Sequence, residues 1–395
     1  MKPLRRFFLV FAVACLLSVV LTAQAASCPF CEGSLSETLV LQIDSAQMVF
    51  FGHFEKARRT NTGLEQGESD FVIERVYKDH ESVKGLKRIT IPKYITDSKS
   101  KWLLFGEFYK GKFDANKGTQ VTHDSEMIRY VEGIIKLKSK SQPERLRYAF
   151  DFLNSPELEV SMDAYREFHR ADYRDYKEMA RKLPPDTIAG WLQDPKTPSY
   201  RYGLYASLLG HCGKAPHAKL LMEMIEDPEK RRGSGLHGLM SAYMMLEPKK
   251  GWTYVKDLVQ SADKPFLIRY AGLQTIRFIR EYRLDLLNPK DEKAAQNEIV
   301  KGVAGIMKIP DMADFAIEDM RKWKRWEYCD QILGMFGQKG FSSSVIRKSI
   351  LRYALQCDTP AARAFCKAQR LRDQEWFDEV RELLELESPS ATTKK

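Results

Sequence analysis

The sequence predicts an α+β multidomain protein, a small N-terminal β-barrel followed by an all-α helical array. Three observations carry that prediction. The chain has 395 residues, a length that suggests about two or three domains. From Gln47 to about Asp124 the apolar residues recur with the period of strands. After Ser125 the period lengthens to that of helices and stays so to about Glu387. Composition agrees: 44% apolar and 29% charged residues exclude a disordered chain, and nothing is repetitive enough for a fibre.

The first segment, 1–26, reads as a secretory signal peptide. Met1 to Arg6 is basic, Phe7 to Leu21 is a largely apolar run that includes Cys15, and Thr22-Ala23-Gln24-Ala25-Ala26-Ser27 supplies small residues for cleavage. Ala23 and Ala25 favour a cut after Ala25, whereas Ala25 and Ser27 would leave Cys28 as the first mature residue. An uncleaved anchor is one alternative, although the apolar run falls short of the ~20 residues that span a bilayer comfortably. A lipoprotein lipidated at Cys28 is another, although Ala25 stands where a larger apolar residue is normal. Arg5-Arg6 also resembles a twin-arginine signal, but Leu4 and the strongly hydrophobic run favour ordinary export. The mature chain is therefore expected outside the cytoplasm, periplasmic or secreted, with no membrane span. The net charge is +10, and Lys2, Arg5 and Arg6 supply three of those charges. So small a surplus implies no nucleic-acid partner.

A barrel segment is expected over 27–124. Leu35 to Ala46 has apolar residues at helical spacing. Met48–Phe54, Phe71–Tyr77, Leu86–Ile91, Trp102–Gly106 and Gly118–Val121 are β-branched and aromatic runs separated by Gly, Asn, Asp and Lys clusters. Five short strands in so few residues suit a Greek-key barrel of the OB type.

Helices alone are expected over 125–387. Met127, Ile128, Val131, Ile134 and Ile135 form one stripe, and Leu146, Phe150 and Leu153 the next. Prolines from Pro156 to Pro360 then recur between helical patterns, marking helix starts and connections. A weak self-similarity links Arg201–Leu209, Gly235–Ala242, Arg269–Ile276 and Arg347–Ala354, with small residues Gly203, Gly235 and Gly272 at the centres. A spacing of ~30–40 residues is that of helical-hairpin repeats, with an irregular bundle as the plainer alternative. The polar tail 388–395 is expected to be disordered.

The strand region resembles the OB-fold domain of netrins and tissue inhibitors of metalloproteinases. The resemblance rests on Ile43-Asp44-Ser45-Ala46-Gln47-Met48-Val49-Phe50-Phe51-Gly52, on Phe71-Val72-Ile73-Glu74-Arg75-Val76-Tyr77-Lys78, and on Trp102-Leu103-Leu104-Phe105-Gly106. A cysteine pair near the mature N-terminus adds to it, as Cys28-Pro29-Phe30-Cys31 rather than that family's Cys-x-Cys. The helical remainder resembles HEAT-type repeats. The whole arrangement is similar to secreted bacterial proteins that open with Cys-Pro-x-Cys, a resemblance that implies an architecture and no activity.

Cys28 and Cys31 are the candidate redox or disulfide residues. Cys-x-x-Cys can cycle between dithiol and disulfide, and a helix N-terminus would lower the first pKa. A local disulfide or tether is the plainer reading, and the pair is expected to be close enough to bridge and more exposed than Cys212 and Cys329. Those two are expected to be buried free thiols, while Cys357 and Cys366 flank a turn, which leaves both a pair and two free thiols open. His211, Cys212 and His217 are weak metal candidates around a helix break, with capping as their plainer role. Trp323 and Trp326 are expected to pack on one helix face. The sequence carries no Gly-rich phosphate loop, nucleophile elbow or His-Glu-x-x-His motif, so no cofactor or catalytic residue is implied. The function expected is a secreted, non-catalytic scaffold binding a protein through its helical array. Its alternatives are a thiol-redox protein using Cys28 and Cys31, and metalloprotease-inhibitor-like binding through the amine and carbonyl of Cys28.

Overall fold

In the computed structural model the described residues are 28–31, 37–59, 67–109, 112–122, 124–230 and 234–387. The expected signal peptide, Ser27, the start of the Leu35–Ala46 pattern and the tail 388–395 lie outside them. Contacts divide the chain into two units, one running to Met179 and the other beginning at Ala180.

The first unit holds five strands and most of the first helices. Helix α1 spans Leu39–Ser45, followed by β1 (Met48–Arg59), β2 (Gly67–Lys78), β3 (Arg88–Ile91), β4 (Lys101–Tyr109) and β5 (Lys112–Val121). Four of the expected strand runs fall inside one of these, the run Leu86–Ile91 starts two residues ahead of β3, and among the described residues no strand follows Val121. The strands form one antiparallel sheet in the order β3-β2-β1-β4-β5, and the outer strands β3 and β5 also approach each other.

The register explains why β1 is central. Phe51 pairs with Leu103 on one side, and after a register shift Gly52 stands opposite Ile73 on the other. A Cβ at Gly52 would lie 1.8 Å from the Val72 carbonyl oxygen, so only glycine fits the bulge there. Alternate residues then point inward: Met48, Phe50 and Phe54 of β1 join Phe71, Ile89, Ile91, Leu104 and Phe113 in one core. Arg58 ties β1 to β2 with a 2.7 Å ion pair to Asp70, which also accepts the Thr90 hydroxyl at 3.2 Å.

Four helices complete this unit: α2 (Met127–Lys136), α3 (Gln142–Phe150), α4 (Leu158–His169) and α5 (Tyr173–Ala180), the last reaching the boundary. The compact unit thus extends past the change of period at Ser125. Its physical cause is that Leu39, Cys28 and Phe30 anchor on α4 and α5.

The second unit is helical. Its elements are α6 (Pro185–Gln193), α7 (Tyr202–Cys212), α8 (Ala215–Glu226), α9 (Leu236–Leu246), α10 (Pro248–Gln260), α11 (Phe266–Tyr282), α12 (Glu292–Ile306), α13 (Ala313–Lys322), α14 (Cys329–Gly334), α15 (Ser344–Gln356), α16 (Pro360–Arg372) and α17 (Gln374–Leu386). Proline opens α10 and α16 and sits in the first turn of α8, where its missing N–H has no partner to lose. Most consecutive helices pack on each other, and so do alternate ones: α7 on α9, α9 on α11, α13 on α15, α15 on α17, and α10 on α12. Between α11 and α13 the links include the Arg277–Asp319 ion pair at 2.9 Å and the Tyr270–Phe315 ring contact at 5.1 Å. Among the described residues no helix is long and apolar enough to cross a membrane.

All three small-residue centres are buried, but they do not occupy equivalent positions. Gly203 lies in the first turn of α7 and Gly272 mid-way along α11, whereas Gly235 is the N-cap of α9 with φ of 89°. A Cβ on Gly235 would meet the Gly203 nitrogen at 2.6 Å, so these two glycines let α7 and α9 touch backbone to backbone. Trp323 and Trp326 do not share a helix face, because Lys324 between them turns the chain with φ of 55°. Trp326 packs edge-on against Tyr353 at 5.1 Å, and Arg280 lies 4.4 Å over Trp323.

Candidate thiol site

Proline at position 29 turns the chain so that the Cys31 N–H donates to the Cys28 carbonyl at 3.4 Å. The turn brings the thiols together, with the Cys31 thiol donating to Cys28 Sγ at 2.7 Å. They are close enough to bridge. Phe30 anchors the turn: it is fully buried and meets Tyr173 edge-on at 6.3 Å. Tyr173 in turn packs on Tyr176 at 5.4 Å, and Phe168 on Tyr176 at 5.9 Å. The Cys28 N–H donates to the His169 carbonyl at 3.0 Å, and Cys28 Sγ lies 3.9 Å from the Tyr176 hydroxyl.

This corrects the expected exposure. Cys28 is 3% exposed against 4% for Cys329, while Cys31 and Cys212 are both half-buried. Phe30 draws its neighbours into the aromatic crevice of α4 and α5, and the gain from burying that ring outweighs the tendency of a short turn to stay in solvent. Burial pushes the Cys31 thiol well above its ordinary range, and the hydrogen bond to Cys28 and the charge of Cys28 push the same way; a bond from Tyr165 opposes them. Burial also depresses His169. A protonated thiol is a poor nucleophile, so Cys31 is held away from the attacking thiolate form. The Cys28 amide and carbonyl, the two groups that inhibitor-like chelation would require, are both hydrogen-bonded within the chain.

Next to this turn lies a buried acid. Asp163 on α4 is fully buried, accepting the Leu39 N–H at 2.8 Å and the Tyr130 hydroxyl at 2.9 Å. Leu39 begins α1, so the carboxylate satisfies one of the amides that a helix start leaves without a partner. Burial raises the pKa of Asp163 to about 7, against the lowering effect of those two bonds. Close by, Glu167 is buried and paired with Arg145 at 3.0 Å.

The metal candidates sit at the break between α7 and α8. His217 Nδ1 accepts the Lys214 N–H at 3.0 Å, and its Nε2 faces Asp186 at 3.0 Å, so the ring caps α8. The Cys212 thiol turns back onto the Leu208 carbonyl at 3.4 Å, and burial raises its pKa to about 11. His211 is half-buried at the end of α7. Among the described residues no group of three or more His, Cys, Asp and Glu side chains is arranged to hold a metal ion.

Sequence reasoning missed Asp163. Its signal was present, an acid at i+3 from Val160 inside the apolar stripe Val160, Ala164 and Phe168. The sequence left a Cys357–Cys366 pairing open; the structure places Cys366 near both Cys329 and Cys357, and sets the latter two on the Thr359 hydroxyl at 3.1 and 3.6 Å.

No protein-family model matches the chain, and no curated protein matches it in sequence.

Proposed function

We propose that the chain is an exported, extracytoplasmic scaffold without catalytic activity, in which an OB/NTR-like barrel precedes a HEAT-like array that binds a protein partner. The observation that carries this reading is the layering of the second unit. Alternate helices α7, α9, α11, α13, α15 and α17 begin at Tyr202, Leu236, Phe266, Ala313, Ser344 and Gln374 and follow one another in contact. Stacked hairpins of this kind bury a continuous core and leave one long surface for recognition. The strand order β3-β2-β1-β4-β5, with β3 brought to β5, supports the barrel type. Apolar side chains remain on the second unit's surface, including Leu267 at 72% and Leu371 at 80% exposure, where contact with a partner would bury them.

The test is capture from the extracytoplasmic fraction with the full mature chain, its Cys28→Ser/Cys31→Ser variant and a Leu267→Glu/Leu371→Glu variant. A partner held non-covalently by the first two and lost by the third supports the scaffold. Capture only as a mixed disulfide through Cys28 would overturn it. The thiol-redox alternative draws on the 2.7 Å approach of the Cys28 and Cys31 sulfurs. Insulin reduction above a Cys28→Ser control would move that reading to first place.

A further inference from the structure

Three of the six cysteines beyond the signal segment gather at one point of the second unit. Cys329 is the first residue of α14, Cys357 is the C-cap of α15, and Cys366 lies within α16. Thr359 stands among them as the N-cap of α16, its hydroxyl accepting the Ala362 N–H at 3.2 Å. The same hydroxyl oxygen lies 3.1 Å from Cys329 Sγ and 3.6 Å from Cys357 Sγ. Both cysteines are buried, at 4% and 3% exposure. Cys366 is half-buried and opens on a groove of about 550 Å³ that Lys367, Arg370 and Gln374 also line.

We propose that Cys329 and Cys357 are a disulfide-forming pair that staples α14 to the end of α15. The two buried thiols share one hydroxyl, which gathers them at a single point, and the bridge forms as they turn from Thr359 toward each other. The segment between the helices contains Gly337 and Gly340, both at positive φ, and has no helix from Met335 to Ser343. A bond from 329 to 357 closes a loop that contains this connection, and it stabilises by removing freedom from the unfolded chain. The oxidant is a small-molecule disulfide of the glutathione class. One such disulfide accepts two electrons and two protons and leaves as two thiols, while the Cys329 and Cys357 thiols become one S–S bond. Cys366, beside the pair and facing the groove, keeps its thiol. This inference does not depend on the scaffold reading.

The experiment uses the full mature chain carrying Cys28→Ser/Cys31→Ser, so that the N-terminal pair does not contribute. The reduced protein is equilibrated with oxidised glutathione, quenched in acid, alkylated and digested without reductant. The expected result is a peptide cross-linked between 329 and 357, two thiols lost, and Cys366 alkylated. The thermal midpoint rises by about 5–10 °C on oxidation and falls back with reductant. Cys357→Ser abolishes the rise, and Cys366→Ser leaves it. If Cys357→Ser does not fold, the peptide map of the parent decides. A 357–366 link, or Cys329 and Cys357 alkylated separately after equilibration, would overturn the proposal.

Discussion

The Tyr130 hydroxyl donates to the buried Asp163 carboxylate at 2.9 Å, and the other carboxylate oxygen of Asp163 accepts the Leu39 amide. One acid thereby holds the start of α1 and the centre of α2 on α4. Its pKa of about 7 has a direct consequence for stability. A carboxyl whose folded pKa lies above the unfolded value contributes fully below the unfolded value, near 4, and loses that contribution as pH rises through about 7. The first unit is therefore expected to lose up to about 4 kcal/mol from this group between pH 4 and 8. His169, depressed by burial, opposes this trend on the acid side. The difference between wild type and Asp163→Asn isolates the acid: denaturant midpoints should fall from pH 5.5 to 8 in wild type and less steeply in the variant. Parallel profiles would mean that Asp163 does not titrate in this window.

Gly52 is the point of tightest backbone approach in the sheet. Gly52→Ala would place its methyl group against the Val72 carbonyl, so β1 and β2 must separate there. The expected cost is about 2–4 kcal/mol in denaturant titration, felt in the first unit. Gly85, also in the first unit and with no atom within 4 Å of an added Cβ but a φ of 77°, is the control. Gly85→Ala should cost about 1 kcal/mol from backbone strain alone. Equal costs at the two sites would remove the packing argument.

Arg269 and Asp311 form a bidentate pair of unequal burial, 3% against 52% exposure, with Nη1 donating to Oδ1 at 2.9 Å and Nη2 donating to Oδ2. Arg269 also donates to the Lys264 carbonyl at 2.8 Å, and its guanidinium holds the Asp311 carboxyl below its usual range. Removing either partner is not equivalent. Asp311→Ala strands a buried cation and is expected to cost about 2–3 kcal/mol, whereas Arg269→Met leaves a carboxylate that water can reach and should cost about half as much. Urea unfolding of both variants measures the asymmetry, and the reverse order would contradict the assignment.

Legibility in the sequence followed the physics of periodicity. Met48–Phe54 and Trp102–Gly106 read as strands because alternate residues enter one core, and Phe50 and Leu104 do so. The repeating Arg201-Tyr202, Arg269-Tyr270 and Arg352-Tyr353 pairs pointed to helices that the structure puts in one alternating series, α7, α11 and α15. What period cannot express is which distant residue fills a given space. Nothing local to Cys28-Pro29-Phe30-Cys31 announces the crevice lined by Tyr173 and Tyr176, so an apolar turn near a chain start read as exposed. The meeting of Cys329 with Cys357 depends on the turn after Gly334 and on where Thr359 caps α16, and neither follows from spacing.

Phe30 gives the N-terminal turn its position, and the thiols report on it. The ring is fully buried against Tyr173, while the turn's other links are the Cys28 amide bond to His169 and the long sulfur contact to Tyr176. Truncating a buried phenylalanine costs about 3–5 kcal/mol, more than one backbone hydrogen bond of about 1 kcal/mol retains. Phe30→Ala should therefore release residues 28–31 locally while the sheet core, built on Phe50, Phe54 and Phe71, stays folded. Alkylation of the reduced, native protein by a maleimide is the measurement. Cys28 should react slowly in wild type and at least about tenfold faster in Phe30→Ala, since each 1.4 kcal/mol of lost protection is worth about tenfold in the open population. Cys329, buried in the second unit, should react at an unchanged rate in both proteins. Fast labelling of Cys28 in wild type, or no acceleration in the variant, would show that the aromatic crevice does not hold the turn.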